Sequence, residues 1–367
     1  MRASDFGAAL AHARAAADAC ARAGTLRAEG VRARLLVGEL LQLQGELAPA
    51  LDCLTRALAD AIAIDETALI VTLRCRLAFS LSDSLGLYEQ ALAYACNAYR
   101  LADSIRFEEG IVQALIRITG AYARVGDADR AERIGLLALS YSRDRSDAQL
   151  IWRSMTMLAV TCNVVADEHE QPSDYAAAML ERGLVYARRA QQYALAWGRG
   201  DARAVGCLTL AAALVRVGRH RDALDALDRS CALARDYGLV VVELAALRER
   251  ARCLIAGGDL DAAQRTLVQA ESIPAYAQHP RNRRLITKLR AECCSRLGQD
   301  ALAAEYHAAH RTLQAEHDAS RRSALQRYSP ELPAYEDTFE MLERLADTGQ
   351  ARLLAQGSWR WAADEPS

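Results

Sequence analysis

A repeat of about forty residues runs along most of this chain, and it restricts the possible folds more than any other feature of the sequence. Six glycines, each followed five residues later by an Ala, recur in register, and the steps between these glycines are 41, 40, 92, 40 and 40 residues. Pro172, with Ala177 five residues after it, lies midway through the long step, so a seventh repeat with an enlarged turn fills the gap. The Gly/Ala pairs are Gly45/Ala50, Gly86/Ala91, Gly126/Ala131, Gly218/Ala223, Gly258/Ala263 and Gly298/Ala303.

Each repeat has the pattern of two amphipathic helices joined by a corner. In the repeat around Gly126, apolar residues return at steps of three and four on both sides of the corner. Gly126 can take the left-handed conformation that ends the first helix, and Asp127 can cap the second. A small residue at Ala131 lets the two helices approach closely. The pattern therefore predicts a series of helix hairpins.

The composition agrees with a folded, helical chain. Hydrophobic residues make up 52% and charged residues 25%, which excludes disorder over the whole length. Only 21 Gly and 7 Pro are present, which disfavours turn-rich β folds. We therefore predict an all-α fold, an α-solenoid of about seven helix hairpins.

The repeat resembles the tetratricopeptide repeat, whose standard unit is about 34 residues. The resemblance is carried by the small residues, the Gly-Asp corner and the following Ala, over roughly residues 24–325. The forty-residue form is similar to the arrays that precede some diguanylate cyclases and to those of maltose-regulator-like transcription activators. The resemblance implies a right-handed superhelix. The signature Trp of the first helix is absent, and its place is taken by Arg34, Leu115, Cys207, Leu247 and Thr287.

The same pattern predicts the domain organisation. Residues 1–23 form an N-terminal capping helix, 24–327 the array, and 328–367 a C-terminal helix and a tail that carries Trp359 and Trp361. In the cyclase relatives a catalytic domain would follow the array. The stretch after Pro333 is shorter than a typical domain, so we expect no output domain.

No catalytic motif accompanies the repeat. The sequence contains no GxxxxGK[ST], HExxH or GxSxG motif, and its one lysine, Lys288, follows no Gly-rich loop. We therefore expect a protein that is not an enzyme and that needs no cofactor.

The histidines and cysteines do not form a recognisable metal site. His307, His310 and His317 share the last array helix, but the first two fall at positions where other repeats have Leu or Ala. The 10 cysteines have no CxxC spacing and are typical of reduced core thiols in a cytosol. The first twenty residues contain Asp5, His12 and Asp18, unlike a signal peptide. We expect no metal and a cytoplasmic protein.

The net charge of −2 gives no general attraction to nucleic acid or to an anionic membrane, so neither is an expected partner. The longest charge-free stretches are also shorter than the roughly 18 apolar residues that span a bilayer. The oligomeric state stays open.

The resemblance implies a binding groove, because the first helix of each tetratricopeptide hairpin lines the concave surface. A groove rich in guanidinium groups favours an acidic segment or a free carboxylate. The alternative is that these arginines only provide solubility. Glu249 and Glu292 accompany the basic residues. The predicted groove residues are Arg76, Gln113, Arg117, Arg124, Trp152, Asn163, Arg216, Arg248, Arg252, Lys288 and Arg296.

Two functional hypotheses follow. The first is a non-enzymatic scaffold that binds a protein or peptide, as a cytoplasmic bacterial adaptor in signalling or transcriptional regulation. The second is a sensor of a small molecule or peptide signal, whose ligand alters partner binding.

Overall fold

The computed structural model describes residues 3–22, 28–44, 46–168, 174–274 and 276–328, and positions 342, 344 and 347. Within them the chain forms fifteen α-helices and no strand, which confirms the predicted all-α solenoid of helix hairpins. The predicted corners at Gly45 and Pro172 and the tail with Trp359 and Trp361 lie outside the described residues.

The helices follow one another in pairs after α1. Each pair has a first helix with an even number and a second helix with an odd number. The bounds are α1 Ala3–Arg22, α2 Ala28–Gln44, α3 Leu47–Ala63, α4 Thr67–Phe79, α5 Tyr88–Ser104, α6 Glu108–Val125, α7 Ala128–Asp144, α8 Ala148–Glu168, α9 Asp174–Trp197, α10 Gly200–Arg216, α11 His220–Asp236, α12 Val240–Gly257, α13 Leu260–Glu271, α14 Pro280–Arg296 and α15 Asp300–Tyr328.

The corners within the hairpins have the geometry that the sequence predicts. Gly126 takes a left-handed φ of 89° at the end of α6, and the N–H of Asp127 donates to the carbonyl of Tyr122 at 3.1 Å. The Asp127 carboxylate accepts a hydrogen bond from the N–H of Arg130 and so caps α7. Positive φ recurs at the other described corners, Gly86, Gly218, Gly258 and Gly298.

A second series of left-handed residues ends the second helices, and the sequence analysis missed it because three of its members are not glycine. They are Asp65, Arg106, Ser146, Gly198 and Gly238. A buried small residue lies fifteen positions before each of them. This spacing aligns the hairpins with one another without reference to the glycine corners between their helices. These small residues are Ala50, Ala91, Ala131, Gly183 and Ala223.

This alignment corrects the sequence interpretation of the fourth hairpin. Ala177, which the repeat spacing assigned to the helix contact, is exposed, and Gly183 takes its place. A Cβ at Gly183 would lie 2.9 Å from Cys162 Cβ. The forty-residue spacing misplaced this helix contact because α8 and α9 contain 21 and 24 residues, whereas most helices of the array contain 17 or 18.

A single inserted residue explains the repeat step of 41 residues. Asp65 and Gly86 are 21 positions apart, whereas Arg106 and Gly126 are 20 apart. The extra residue lies within a π-helical turn, Ser80–Ser84, which continues α4. A π turn accommodates one more residue without breaking the helix.

The chain forms two compact units. The second compact unit consists of Leu58–Trp197 with Tyr328–Ser367, and in it the first helices α4, α6 and α8 are neighbours. Fully buried Leu side chains lie on all three helices, among them Leu73, Leu115 and Leu158.

The first compact unit joins two distant parts of the chain, Met1–Ala57 and Gly198–Arg327. Leu10, Val37 and Leu41 share a buried cluster with Ala204 and Leu239, so α1 and α2 pack with α10 to α12. The first helices α10, α12 and α14 are neighbours in this unit, and α2 contacts α12. The repeat period does not indicate this pairing, because it describes neighbours in sequence only.

Among the described residues, no helix is both long enough and apolar enough to cross a bilayer.

Candidate functional site

An open groove of about 240 Å³ lies between α12 and α14, the first helices of two successive hairpins in the first compact unit. Four of its lining residues, two on each helix, are basic side chains that the sequence predicted for a groove. The lining residues are Arg248, Arg252, Ile255, Ala256, Leu285, Lys288, Leu289, Glu292 and Arg296.

A buried carboxylate organises the basic side chains beside this groove. Glu249 is 4% exposed, and its Oε1 lies 3.0 Å from Arg248 Nη2. Its Oε2 lies 3.5 Å from Arg252 Nη1 and 3.8 Å from Arg216 Nη1. Burial alone raises the pKa of Glu249, but the charges of Arg248, Arg252 and Arg216 outweigh burial and lower this pKa overall. One carboxylate therefore compensates three guanidinium groups.

Two arginines connect the helices that form the groove. Arg248 Nη1 donates to Asn282 Oδ1 at 3.1 Å, which joins α12 to α14. Arg296 Nη1 donates to the carbonyl oxygen of Ile255 at 2.6 Å, which joins the same two helices near their C-terminal ends. Burial lowers the pKa of Arg248. These two contacts tie α12 to α14 beside the groove.

The remaining two basic side chains have more freedom. Lys288 is exposed, and the Arg252 side chain is 37% exposed. Of the two carboxylates nearby, Glu249 is buried and only Glu292 lies on the exposed lining. The groove can therefore take up a negatively charged group, because its cations outnumber its carboxylates.

The predicted groove residues of the second compact unit have more varied surroundings. Gln113 and Asn163 are buried, at 8% and 5% exposure, so they offer little surface to a partner, and the sequence interpretation is corrected for both. Gln113 donates to Glu109 Oε1, and Asn163 lies beside Gly183 of α9.

Three other predicted residues of this unit contact aromatic or acidic neighbours. Trp152 packs against Trp197 with ring centroids 5.8 Å apart. Arg124 Nη2 lies 3.8 Å from Asp83 Oδ1. Arg117 stacks over the ring of Phe79 at 4.8 Å. Arg76, the remaining predicted residue, is partly buried on α4.

Comparison with known proteins supports the fold. No family model matches the chain, and no curated protein matches it. The chain is similar to the crystal structure of a Rap protein complexed with competence and sporulation factor, with a TM-score of 0.59, 15% identity, and coverage of 80% of this chain and 77% of that chain. The chain has an all-helical, repeat-like fold. An alignment with a circular tandem repeat protein of novel repeat topology covers 95% of this chain and 91% of that chain at 13% identity. Its TM-score is 0.17, which is too low to indicate a shared fold.

The three histidines of α15 stay apart from the groove lining. His310 Nδ1 lies 3.2 Å from the carbonyl oxygen of Arg284, and His307 is exposed. Burial, and next the charge of Arg284, lower the pKa of His317. In the part of the chain that the structure describes, no three His, Cys, Asp or Glu residues converge as metal ligands.

Sequence reasoning assigned Glu249 to the groove surface and gave Asn282 no role. The missed signal was their position on first helices: Glu249 directly follows Arg248, and Asn282 lies 34 positions after it on the next first helix. Amphipathic periodicity alone does not separate a buried polar anchor from an exposed one, because both lie on the same helix face.

Proposed function

We propose that this protein is a non-enzymatic scaffold of the tetratricopeptide type that binds a protein or peptide in the groove between α12 and α14. The observation that carries this proposal is the groove itself, in which Arg248, Arg252, Lys288 and Arg296 come from two successive first helices. Two helices from successive repeats supply these side chains, so the groove is a product of the repeat architecture and not of one local motif.

The preferred partner carries an acidic segment or a free carboxylate. Guanidinium groups bind carboxylates through two parallel hydrogen bonds, and a concave wall strengthens the attraction because it excludes water. Arg248 and Arg296 are fixed by Asn282 and Ile255, whereas Arg252 and Lys288 are exposed enough to contact the partner.

The likeness to a Rap protein supports a regulatory role. That protein is seen in complex with competence and sporulation factor, so a fold of this kind can hold a partner. By analogy we propose that this chain acts as a cytoplasmic bacterial adaptor of signalling or transcription.

Charge reversal at the groove tests the proposal. Lys288→Glu should reduce capture of the specific partner from a lysate of the native host at least tenfold, as measured by quantitative mass spectrometry. The matched control is Arg265→Glu, which reverses one exposed charge on the second helix α13 outside the groove lining. Equal capture by the groove variant and the wild type would rule out this groove as the binding surface.

A second candidate is a sensor of a small molecule or short peptide, and the groove of about 240 Å³, below the roughly 300–1,000 Å³ of typical ligand pockets, would restrict it to a small ligand. A specific ligand must raise the melting temperature by mass action. Thermal-shift measurements against acidic metabolites separate the two functions, because a scaffold that binds only proteins or peptides shows no shift with a metabolite.

A further inference from the structure

The groove between α12 and α14 has a carboxylate among its cations. Among the described residues that line the groove, Glu292 is the only acidic one, and it is exposed. On α14, Glu292 follows Lys288 by four residues and precedes Arg296 by four. Residues four apart lie on one face of a helix, about 6 Å apart along its axis. A cation, a carboxylate and a second cation therefore alternate along one edge of the groove.

The charges of Lys288 and Glu292 are both available to a partner. The two residues are exposed, and neither side chain forms an ion pair or a hydrogen bond with any described residue. Arg296 differs from them, because its Nη1 donates to the carbonyl oxygen of Ile255 at 2.6 Å. A partner that enters the groove therefore meets one free cation and one free carboxylate on α14.

The lining between these charges includes apolar side chains. Ile255 and Leu289 are buried, at 3% and 8% exposure, and Leu285 is half-buried. The groove volume of about 240 Å³ is below the roughly 300–1,000 Å³ of pockets that enclose a whole ligand, so we expect it to take one apolar side chain of a longer segment.

The spacing of the two free charges suits an extended segment. In such a segment, the residues on either side of the inserted apolar residue direct their side chains away from the apolar lining, and they lie about 7 Å apart along the chain. Lys288 and Glu292 are about 6 Å apart along α14. One flanking side chain can therefore lie near Lys288 while the other lies near Glu292.

We propose that Glu292 is a specificity-determining residue of the groove. It selects a peptide segment in which one apolar residue has a carboxylate on one side and a neutral or cationic side chain on the other. Lys288 attracts the carboxylate, whereas Glu292 attracts a cation and repels a second carboxylate. Arg296 lies one turn further along α14, so Glu292 is the nearer charge to the second flanking side chain. This inference rests on the proposed function and restricts which acidic segments the groove accepts.

Peptides without terminal charges test this selection. The probes are acetylated and amidated peptides Gly-Gly-Glu-Leu-X-Gly-Gly, in which X is Lys, Gln or Glu, and the same set with the order X-Leu-Glu, because Lys288 and Glu292 do not fix the chain direction. Isothermal titration calorimetry with the full-length protein at low ionic strength gives the dissociation constants. We expect binding to weaken about threefold at each step from Lys to Gln to Glu in at least one order. The differences should shrink in ~1 M salt.

Variants assign the preference to Glu292. Glu292→Gln should abolish or reverse the order of affinities, because the remaining charges of the lining are cations. Lys288→Gln should weaken all three peptides by a similar factor, since each contains the same Glu. The matched control is Glu305→Gln, which removes an exposed carboxylate of α15 outside the groove lining and should keep the full preference. A purely structural role for Glu292 would not change the dependence on X.

Four results would overturn the role of Glu292. They are equal affinity for all three peptides, tighter binding with Glu than with Gln at X, an unchanged preference in Glu292→Gln, and no binding of any peptide at about 1 mM. If Lys288→Glu still loses its partner from the lysate, such a result removes only this selection and keeps the groove as the binding surface. Undiminished capture by Lys288→Glu overturns the proposed function itself.

Discussion

Arg248 Nη1 lies 3.1 Å from Asn282 Oδ1, so a side chain of α12 that lines the groove is tied to a buried side chain of α14. The same guanidinium reaches Glu249 Oε1 through Nη2 at 3.0 Å. This arrangement joins the wall of the groove to a buried ionic cluster, and it makes the groove geometry sensitive to residues that never touch a partner.

Glu249→Gln should destabilise the protein by about 3 kcal/mol, because it leaves Arg216, Arg248 and Arg252 without their shared buried counter-charge. Urea unfolding followed by circular dichroism measures the change. Glu292→Gln, at an exposed carboxylate of the same groove, should change the stability by less than about 0.5 kcal/mol. Equal effects of the two substitutions would contradict a structural role for Glu249.

The stabilisation by Glu249 should depend on pH. Its folded-state pKa is lowered from an ordinary value of 4.5, so the contribution is fully present above that value and is lost as the pH falls through the folded-state pKa. The difference in unfolding free energy between wild type and Glu249→Gln should therefore be constant near neutral pH and shrink below about pH 4.5. A difference that grows on acidification would show that the carboxylate is not held ionised by the arginines.

Gly183→Ala should lower the unfolding free energy by about 1–2 kcal/mol, although Ala has the higher helix propensity. The new Cβ would lie 2.9 Å from Cys162 Cβ, so α8 and α9 must move apart. Gly257→Ala is the matched control in a helix, because no atom lies within 4 Å of its added Cβ, and it should be neutral or stabilising by up to about 1 kcal/mol. Chemical denaturation of both variants tests the difference in sign.

Gly198→Ala should destabilise the protein by about 1 kcal/mol through backbone strain alone, because its φ is 76° and no atom lies within 4 Å of the added Cβ. Ser146→Gly, at the equivalent end of α7 with a φ of 52°, should have the opposite effect and stabilise by a few tenths of a kcal/mol. Melting temperatures of the two variants, measured side by side, check the equivalence of these helix ends. Changes of the same sign would refute it.

Cys75 should resist alkylation in the native protein. Burial raises the pKa of this thiol to about 11, so only about one molecule in a thousand carries a thiolate at pH 8. Iodoacetamide labelling followed by peptide mass spectrometry should modify the half-buried Cys20 first, and both at similar rates in 8 M urea. Faster native labelling of Cys75 than of Cys20 would contradict the burial of Cys75.

The sequence was sufficient for the helical architecture because the corner chemistry is local. A Gly that ends one helix, a capping side chain such as Asp127 and a small residue such as Ala131 act within one hairpin, and their spacing is visible without any coordinates. Arg248, Arg252, Lys288 and Arg296 could also be placed on one wall, because successive first helices repeat in phase.

The tertiary structure alone decided how those residues are used. Periodicity assigned Gln113 and Asn163 to an open wall, but packing against neighbouring helices buries them. Likewise, the sharing of a core by Leu10 and Leu239 depends on contacts between segments far apart in the chain. A helix pattern shows which face is turned inward, whereas burial, ion pairing and contacts between distant segments depend on which other helices cover that face.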